Sequence, residues 1–83
     1  MKNNDVVTVE EVKEAVEKVG YQYIADRPVS NHVDDWYLRI VLARREEPRK
    51  EMVTWVYNRY SGLVEGMYTQ NEEYAREHFL TRY

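Results

Sequence analysis

Val9, Val12, Val16 and Val19 recur at steps of three and four, with Ala15 on the same side, and Glu10, Lys13, Glu14, Glu17 and Lys18 fill the positions between them. This is the apolar stripe of an amphipathic helix, and it predicts a helix from Val9 to Val19. Thr8 stands where an N-cap belongs and Glu11 follows three residues later, the spacing of a capping box. Val7 and Val12 are placed to form the hydrophobic staple across it. Glu14 and Lys18 make a favourable i,i+4 pair, and Gly20 supplies the stop. Valine is an indifferent helix former, so this helix depends on burying its stripe.

After Gly20 the period changes. Tyr21 to Ala25 reads as a short strand, broken by Arg27-Pro28 and followed by the polar loop Ser30 to Asp35. From Trp36 to Arg45 the alternation is clear. Trp36, Leu38, Ile40 and Leu42 share one side and are the predicted core face; Tyr37, Arg39, Val41, Ala43 and Arg45 share the other, which is mixed. A charged turn, Glu46 to Lys50, leads to a strand from Met52 to Asn58 whose two faces, Met52/Thr54/Val56 and Val53/Trp55/Tyr57, are both apolar enough to be the inner one. A turn at Arg59 to Gly62 leads to a last strand, Leu63 to Thr69, where Gly66 signals a bulge or a close approach. A second helix is predicted from Glu72 to Arg82, capped by Thr69 with Glu72 or by Asn71, with Ala75, Phe79 and Arg82 along one side and Tyr74 and His78 beside them.

The order is α-β-β-β-β-α. It predicts one α+β domain over residues 1–83: a small two-layer sandwich in which an antiparallel sheet of three to four strands is flanked by an N-terminal and a C-terminal helix, both on one face. Eighty-three residues make a modest core, with little room for a deep catalytic cavity. The chain has no cysteine, which excludes disulfides and thiolate metal sites and favours a reducing, cytoplasmic setting. No apolar run approaches the roughly 20 residues of a membrane span, and the start of the chain lacks the apolar stretch of a signal peptide.

Candidate chemistry is sparse. His32 with Asp34 and Asp35 has too few ligands for a metal site and reads as a solvated loop; His78 reads as a partly buried helix histidine. Ser30 and Ser61 lack a nucleophile motif, and the three glycines form no phosphate loop. The expectation is a non-enzyme with no catalytic residue, no cofactor and no metal.

Charge is less even. The net charge is −3, yet residues 39–59 hold six basic side chains (Arg39, Arg44, Arg45, Arg49, Lys50, Arg59) against three glutamates. Both strands here also carry aromatics. Tyr37, Arg39, Arg44, Arg45, Trp55 and Tyr57 are therefore the candidate partner-binding residues, because Arg, Tyr and Trp dominate interface hot spots. Eight tyrosines exceed what one small core needs, which points the same way, to a protein partner or a homodimer. The alternative is a nucleic-acid-binding or regulatory protein that uses the same Arg/aromatic hairpin. The negative net charge opposes it, as does Asn71-Glu72-Glu73 at the start of the last helix, where the double-stranded-RNA-binding domain carries lysines.

The stretches Thr54-Trp55-Val56-Tyr57-Asn58, Gly62 to Tyr68 and Glu73 to Phe79 resemble the C-terminal half of small phage and mobile-element proteins of low-GC bacteria, of the anti-CRISPR and anti-defence type. The resemblance covers about 30 residues and transfers no catalytic residue. It implies an inhibitor that occludes a nucleic-acid or partner-binding surface of a CRISPR effector or another defence nuclease in the bacterial cytoplasm.

Overall fold

A computed structural model describes residues 7–29 and 37–82. Its elements are α1 (Val9–Lys18), β1 (Gln22–Pro28), β2 (Leu38–Arg45), β3 (Glu51–Asn58), β4 (Gly62–Thr69) and α2 (Glu72–Thr81). The four strands form one antiparallel sheet in the order β1-β2-β3-β4. Element order, sheet type and α+β class are those the pattern predicts. The expected strand start at Trp36, its inward side chain, and the loop residues His32, Asp34 and Asp35 lie outside the described residues.

α1 begins as its sequence dictates. The Thr8 hydroxyl accepts the Glu11 N–H at 3.1 Å, and the Glu11 carboxylate takes the Thr8 backbone N–H in return. Val7 is buried and packs in one cluster with Val12, which completes the staple. The stripe is narrower than the valine spacing suggests: Val12 and Val16 are fully buried, while Val9 and Val19 are about half exposed. α2 starts at Asn71, whose side chain accepts the Tyr74 N–H at 2.9 Å, while Thr69 Oγ1 accepts the Asn71 N–H at 3.0 Å. Both candidate caps are in use.

β1 is longer than expected. It runs through Arg27 to Pro28 because it is an edge strand, and at an edge a proline's missing N–H breaks no ladder. A register shift places a bulge at Ile24. The other edge strand, β4, is bulged at Glu65–Gly66, where two residues oppose Trp55 and Glu65 takes φ 55°. Gly66 therefore marks the bulge its sequence position signalled. Interrupted edges of this kind blunt strand-to-strand association.

The helices do not share a face. On β2 and β3, Val41, Ala43, Val53, Trp55 and Tyr57 pack with Val12 and Val16 of α1. Ile40, Leu42, Met52 and Val56, which alternate with them, pack with Ala75 and Phe79 of α2. Successive strand residues point to opposite sides, so α1 covers one face and α2 the other. The predicted one-sided, two-layer packing is corrected accordingly. Leu38, Ile40 and Leu42 are on the α2 face as a set, with Ile40 and Leu42 fully buried, but Val41 and Ala43 are equally buried opposite them. The doubly apolar β3 pattern has the same cause: both of its faces are inner faces.

Candidate partner-binding surface

The register brings most of the predicted site residues to one face. Arg39 pairs with Tyr57 and Val41 with Trp55 across β2 and β3, so Arg39, Arg45, Trp55 and Tyr57 project to the α1 side. Arg44 is on the α2 side and is separated from them by the sheet. Tyr37 precedes β2 and packs against Tyr60, ring centroids 5.7 Å apart.

Coming to one face does not make these residues free. Trp55 and Tyr57 are only 5% and 7% exposed. The Tyr57 hydroxyl donates to Glu11 at 2.8 Å, and burial together with that carboxylate raises the phenol pKa to about 12. Glu11 also receives two bonds from Arg59, at 2.7 and 3.1 Å, and this guanidinium foremost holds its carboxyl below the usual range. Arg39 donates to Asp26 at 2.6 Å, and Asp26 also accepts the Tyr23 hydroxyl. Arg44 reaches Glu46 at 3.7 Å and Gln22 at 3.4 Å. Arg49 and Lys50, at the tip of the hairpin, are exposed beside Glu46 and Glu47. Of the segment's basic side chains, Arg39 and Arg59 are thus paired with carboxylates from elsewhere in the fold, and Arg44 and Arg45 with glutamates of the segment itself.

What remains open is the Tyr68 end of an aromatic row near the β2–β3 hairpin end of the α1 face. Tyr21, Trp55 and Tyr68 stand edge to face in succession, centroids 5.1 Å and 6.2 Å apart, with interplanar angles of 79° and 88°. The Trp55 indole N–H donates to the Tyr68 hydroxyl at 3.3 Å. Arg45 lies over the Tyr21 ring at 4.9 Å and donates to Glu51 at 3.1 Å, and Glu51 also accepts the Tyr21 hydroxyl at 2.7 Å. Burial first, then Glu51, raises the Tyr21 pKa to about 12. Gly66 makes the row possible. A Cβ there would sit 2.8 Å from Trp55 Nε1 and 2.7 Å from the Tyr68 ring. Tyr68 itself is 51% exposed.

Sequence reasoning named Arg45 and Trp55 of this row and missed Tyr21 and Tyr68. Tyr21 lies in the connection before β1 and Tyr68 on the edge strand, and nothing local in sequence tells that Trp55 bridges them. Gly66 was the available signal, since a glycine inside a strand pattern marks a close approach.

A second opening lies on the α2 face beyond the end of α2. This groove of about 270 Å³ is floored by Leu38, Val56 and Val64 and bordered by Val29 and Tyr37. Among the described residues no group of three or more His, Asp or Glu side chains could hold a metal, and no helix is long and apolar enough to cross a membrane. Comparisons with protein-family models, curated proteins and solved structures gave no match to this chain.

Proposed function

We propose that this chain is a non-catalytic protein-binding module, and that Tyr68, seated on the buried Trp55 of the aromatic row, is the centre of its contact surface. The observation that carries this reading is Tyr68: a half-exposed phenol held edge-on against a buried indole. Such a ring offers large contact area and loses little conformational freedom on binding, the property that makes tyrosine effective in interfaces. Arg45 and Glu51 beside it supply a polar rim, joined by an ion pair through Arg45 Nη2, while the buried Arg45 Nε has no hydrogen-bond partner of its own among the described residues.

The charge distribution supports a protein partner over nucleic acid. A sheet that binds single strands needs an open face with basic residues along it. Here each face carries a helix, and Arg39, Arg45 and Arg59 are paired with carboxylates at 2.6, 3.1 and 2.7 Å. Bulges on both edge strands argue against a dimer formed through sheet edges, so self-association would use the side-chain surface. An inhibitor of a bacterial defence nuclease is a narrower form of the proposal. It rests on the C-terminal resemblance and on the exposed Glu10, Glu14 and Glu17 of α1, which suit a basic target.

The test is affinity capture from bacterial lysate with the parent and with Tyr68→Ala, each with and without nuclease, at low and high salt. The expected result is one protein retained by the parent through nuclease and high salt, and lost with Tyr68→Ala. Capture that disappears with nuclease and falls steeply with salt would instead identify phosphate binding through counterion release.

A further inference from the structure

Thr54 is fully buried at the centre of the sheet, on the α2 face, and it is the polar member of the described core. Its hydroxyl oxygen lies 2.8 Å from His78 Nδ1 and 3.1 Å from Arg82 Nη1, which also donates to the Thr54 carbonyl at 3.0 Å. A guanidinium is only a donor, so toward Arg82 the hydroxyl accepts. A hydroxyl can accept twice, but the one acceptor the described contacts give its proton is His78, so we assign the proton to that bond, with Nδ1 unprotonated to receive it. The neutral imidazole consequently carries its proton on Nε2.

Two further sets of contacts hold α2, one on either side of this bond. Its buried side chains are Ala75 and Phe79. Its last turn is tied to the sheet by Arg27 of β1, which donates to the Phe79 carbonyl at 2.7 Å and to the Arg82 carbonyl, and by Arg82, which reaches the Glu65 carbonyl of β4. His78 thus sits between the core side chains of the helix and its guanidinium ties.

We infer that the His78–Thr54 hydrogen bond is a pH-sensitive latch, and that protonation of His78 releases α2 from the sheet. Protonated Nδ1 can only donate, so the hydroxyl proton of the fully buried Thr54 would lose the acceptor it has. The new positive charge would also face Arg82. The groups around the ring are Tyr74 and Arg82 from α2, uncharged Thr54 from β3, and Glu65 of β4, which is 3.5 Å from the Arg82 guanidinium. Arg27 of β1 approaches through the Arg82 carbonyl. No carboxylate is set against the imidazole itself among these contacts. Burial first, then Arg82, lowers the His78 pKa below its usual 6.5. The sign follows: an undocked helix takes up the proton near 6.5 while the docked one does not, so docking weakens as pH falls through that value. Release uncovers Ile40, Leu42, Met52 and Val56.

The experiment is amide hydrogen exchange on the whole chain at about pH 7.5 and about pH 5.5, corrected for intrinsic rates, in a His32→Gln background so that His78 is the one imidazole. Residues 75–81 should lose protection at the lower pH while the Val41 and Val53 amides keep theirs. His78→Asn places an acceptor near the Nδ1 position that cannot be protonated, and it should abolish the response. Equal protection of α2 at both pH values, loss of sheet and helix together, or a His78→Asn variant that responds like the parent would each overturn the latch. The His78 ring pKa, read by NMR on the parent, is independent of how the variant folds; a value at or above about 6.5 would also overturn it.

Discussion

Gly66 shows how much one residue can fix. The space its missing side chain leaves is occupied by the Trp55 indole and the Tyr68 ring, both under 3 Å from a built Cβ. Tyr68 is half exposed and can swing away; Trp55 is buried and cannot. Gly66→Ala should therefore destabilise the fold by about 1–3 kcal/mol, the range for an overpacked site, and should displace Tyr68 from Trp55. Urea melts and the near-ultraviolet circular dichroism of the aromatic row measure the two effects. A loss under about 0.5 kcal/mol with unchanged aromatic signal would mean that the row is not seated on the glycine. At this scale the sequence was half legible. A glycine in a strand announced a bulge, and Thr8 and Glu11 announced a capping box. The second role of Glu11 was hidden, because Tyr57 and Arg59 lie 46 and 48 residues away and only the register of β3 brings them to the helix. The same blindness placed Trp55 and Tyr57 among candidate surface residues when they are core.

At the scale of elements, each helix is fastened by an arginine from the sheet side. Arg59, in the β3–β4 turn, forks onto Glu11 in the first turn of α1. Because Glu11 has a lowered folded pKa, its contribution to stability is complete above the usual carboxylate value of 4.5 and is lost as pH falls through the lower folded value. Glu11→Gln should thus reduce stability at neutral pH and flatten the fall in acid below about pH 4.5, a difference that melting temperatures of parent and variant across that range will register. α2 relies on Arg27, which donates to two carbonyls at its C-terminal end and lies 5.6 Å over the Phe79 ring. A helix C-terminus favours such a cation, both as a hydrogen-bond donor and through the dipole. Arg27→Met keeps the aliphatic stem and removes the donors. It should cost about 1–3 kcal/mol, as for hydrogen bonds from a charged group, with the loss of protection concentrated in α2 amides. Arg27-Pro28 looked like a strand breaker in the sequence; neither the edge position that tolerates the proline nor the helix end that uses the arginine has a local signature.

At the scale of the molecule, the decisive feature is a sheet with two inner faces. The element order was readable because each change of period is local. The face each helix covers was not, because it depends on how the connections carry the chain over the sheet, and an α-β-β-β-β-α order is compatible with either arrangement. Two details did point to double coverage: β3 is apolar on both sides, and β2 carries Val41 and Ala43 on the face that also bears Arg39 and Arg45. The arginines tipped that face toward solvent in a purely sequential reading, whereas in the fold they lie nearer its ends and pair with Asp26 and Glu51. Neighbouring substitutions in β2 separate the two architectures. Ile40 and Val41 are both completely buried, one toward α2 and the other toward α1. Ile40→Ala should destabilise by about 2–5 kcal/mol, the usual result of removing a large aliphatic from a packed site. A sheet covered on one side would leave Val41 at the surface, where Val41→Ala would change stability by no more than about 0.5 kcal/mol. With α1 over that face, the methyl groups lost from Val41 were packed with Val12 and Val16, and the expected loss is roughly 1–3 kcal/mol from burial and cavity together. Against a total stability of about 5–10 kcal/mol for a domain of this size, both variants should shift the urea midpoint clearly while the denaturant slope stays that of the parent. A Val41→Ala variant as stable as the parent would place α1 elsewhere, and with it the end of the aromatic row that α1 leaves open.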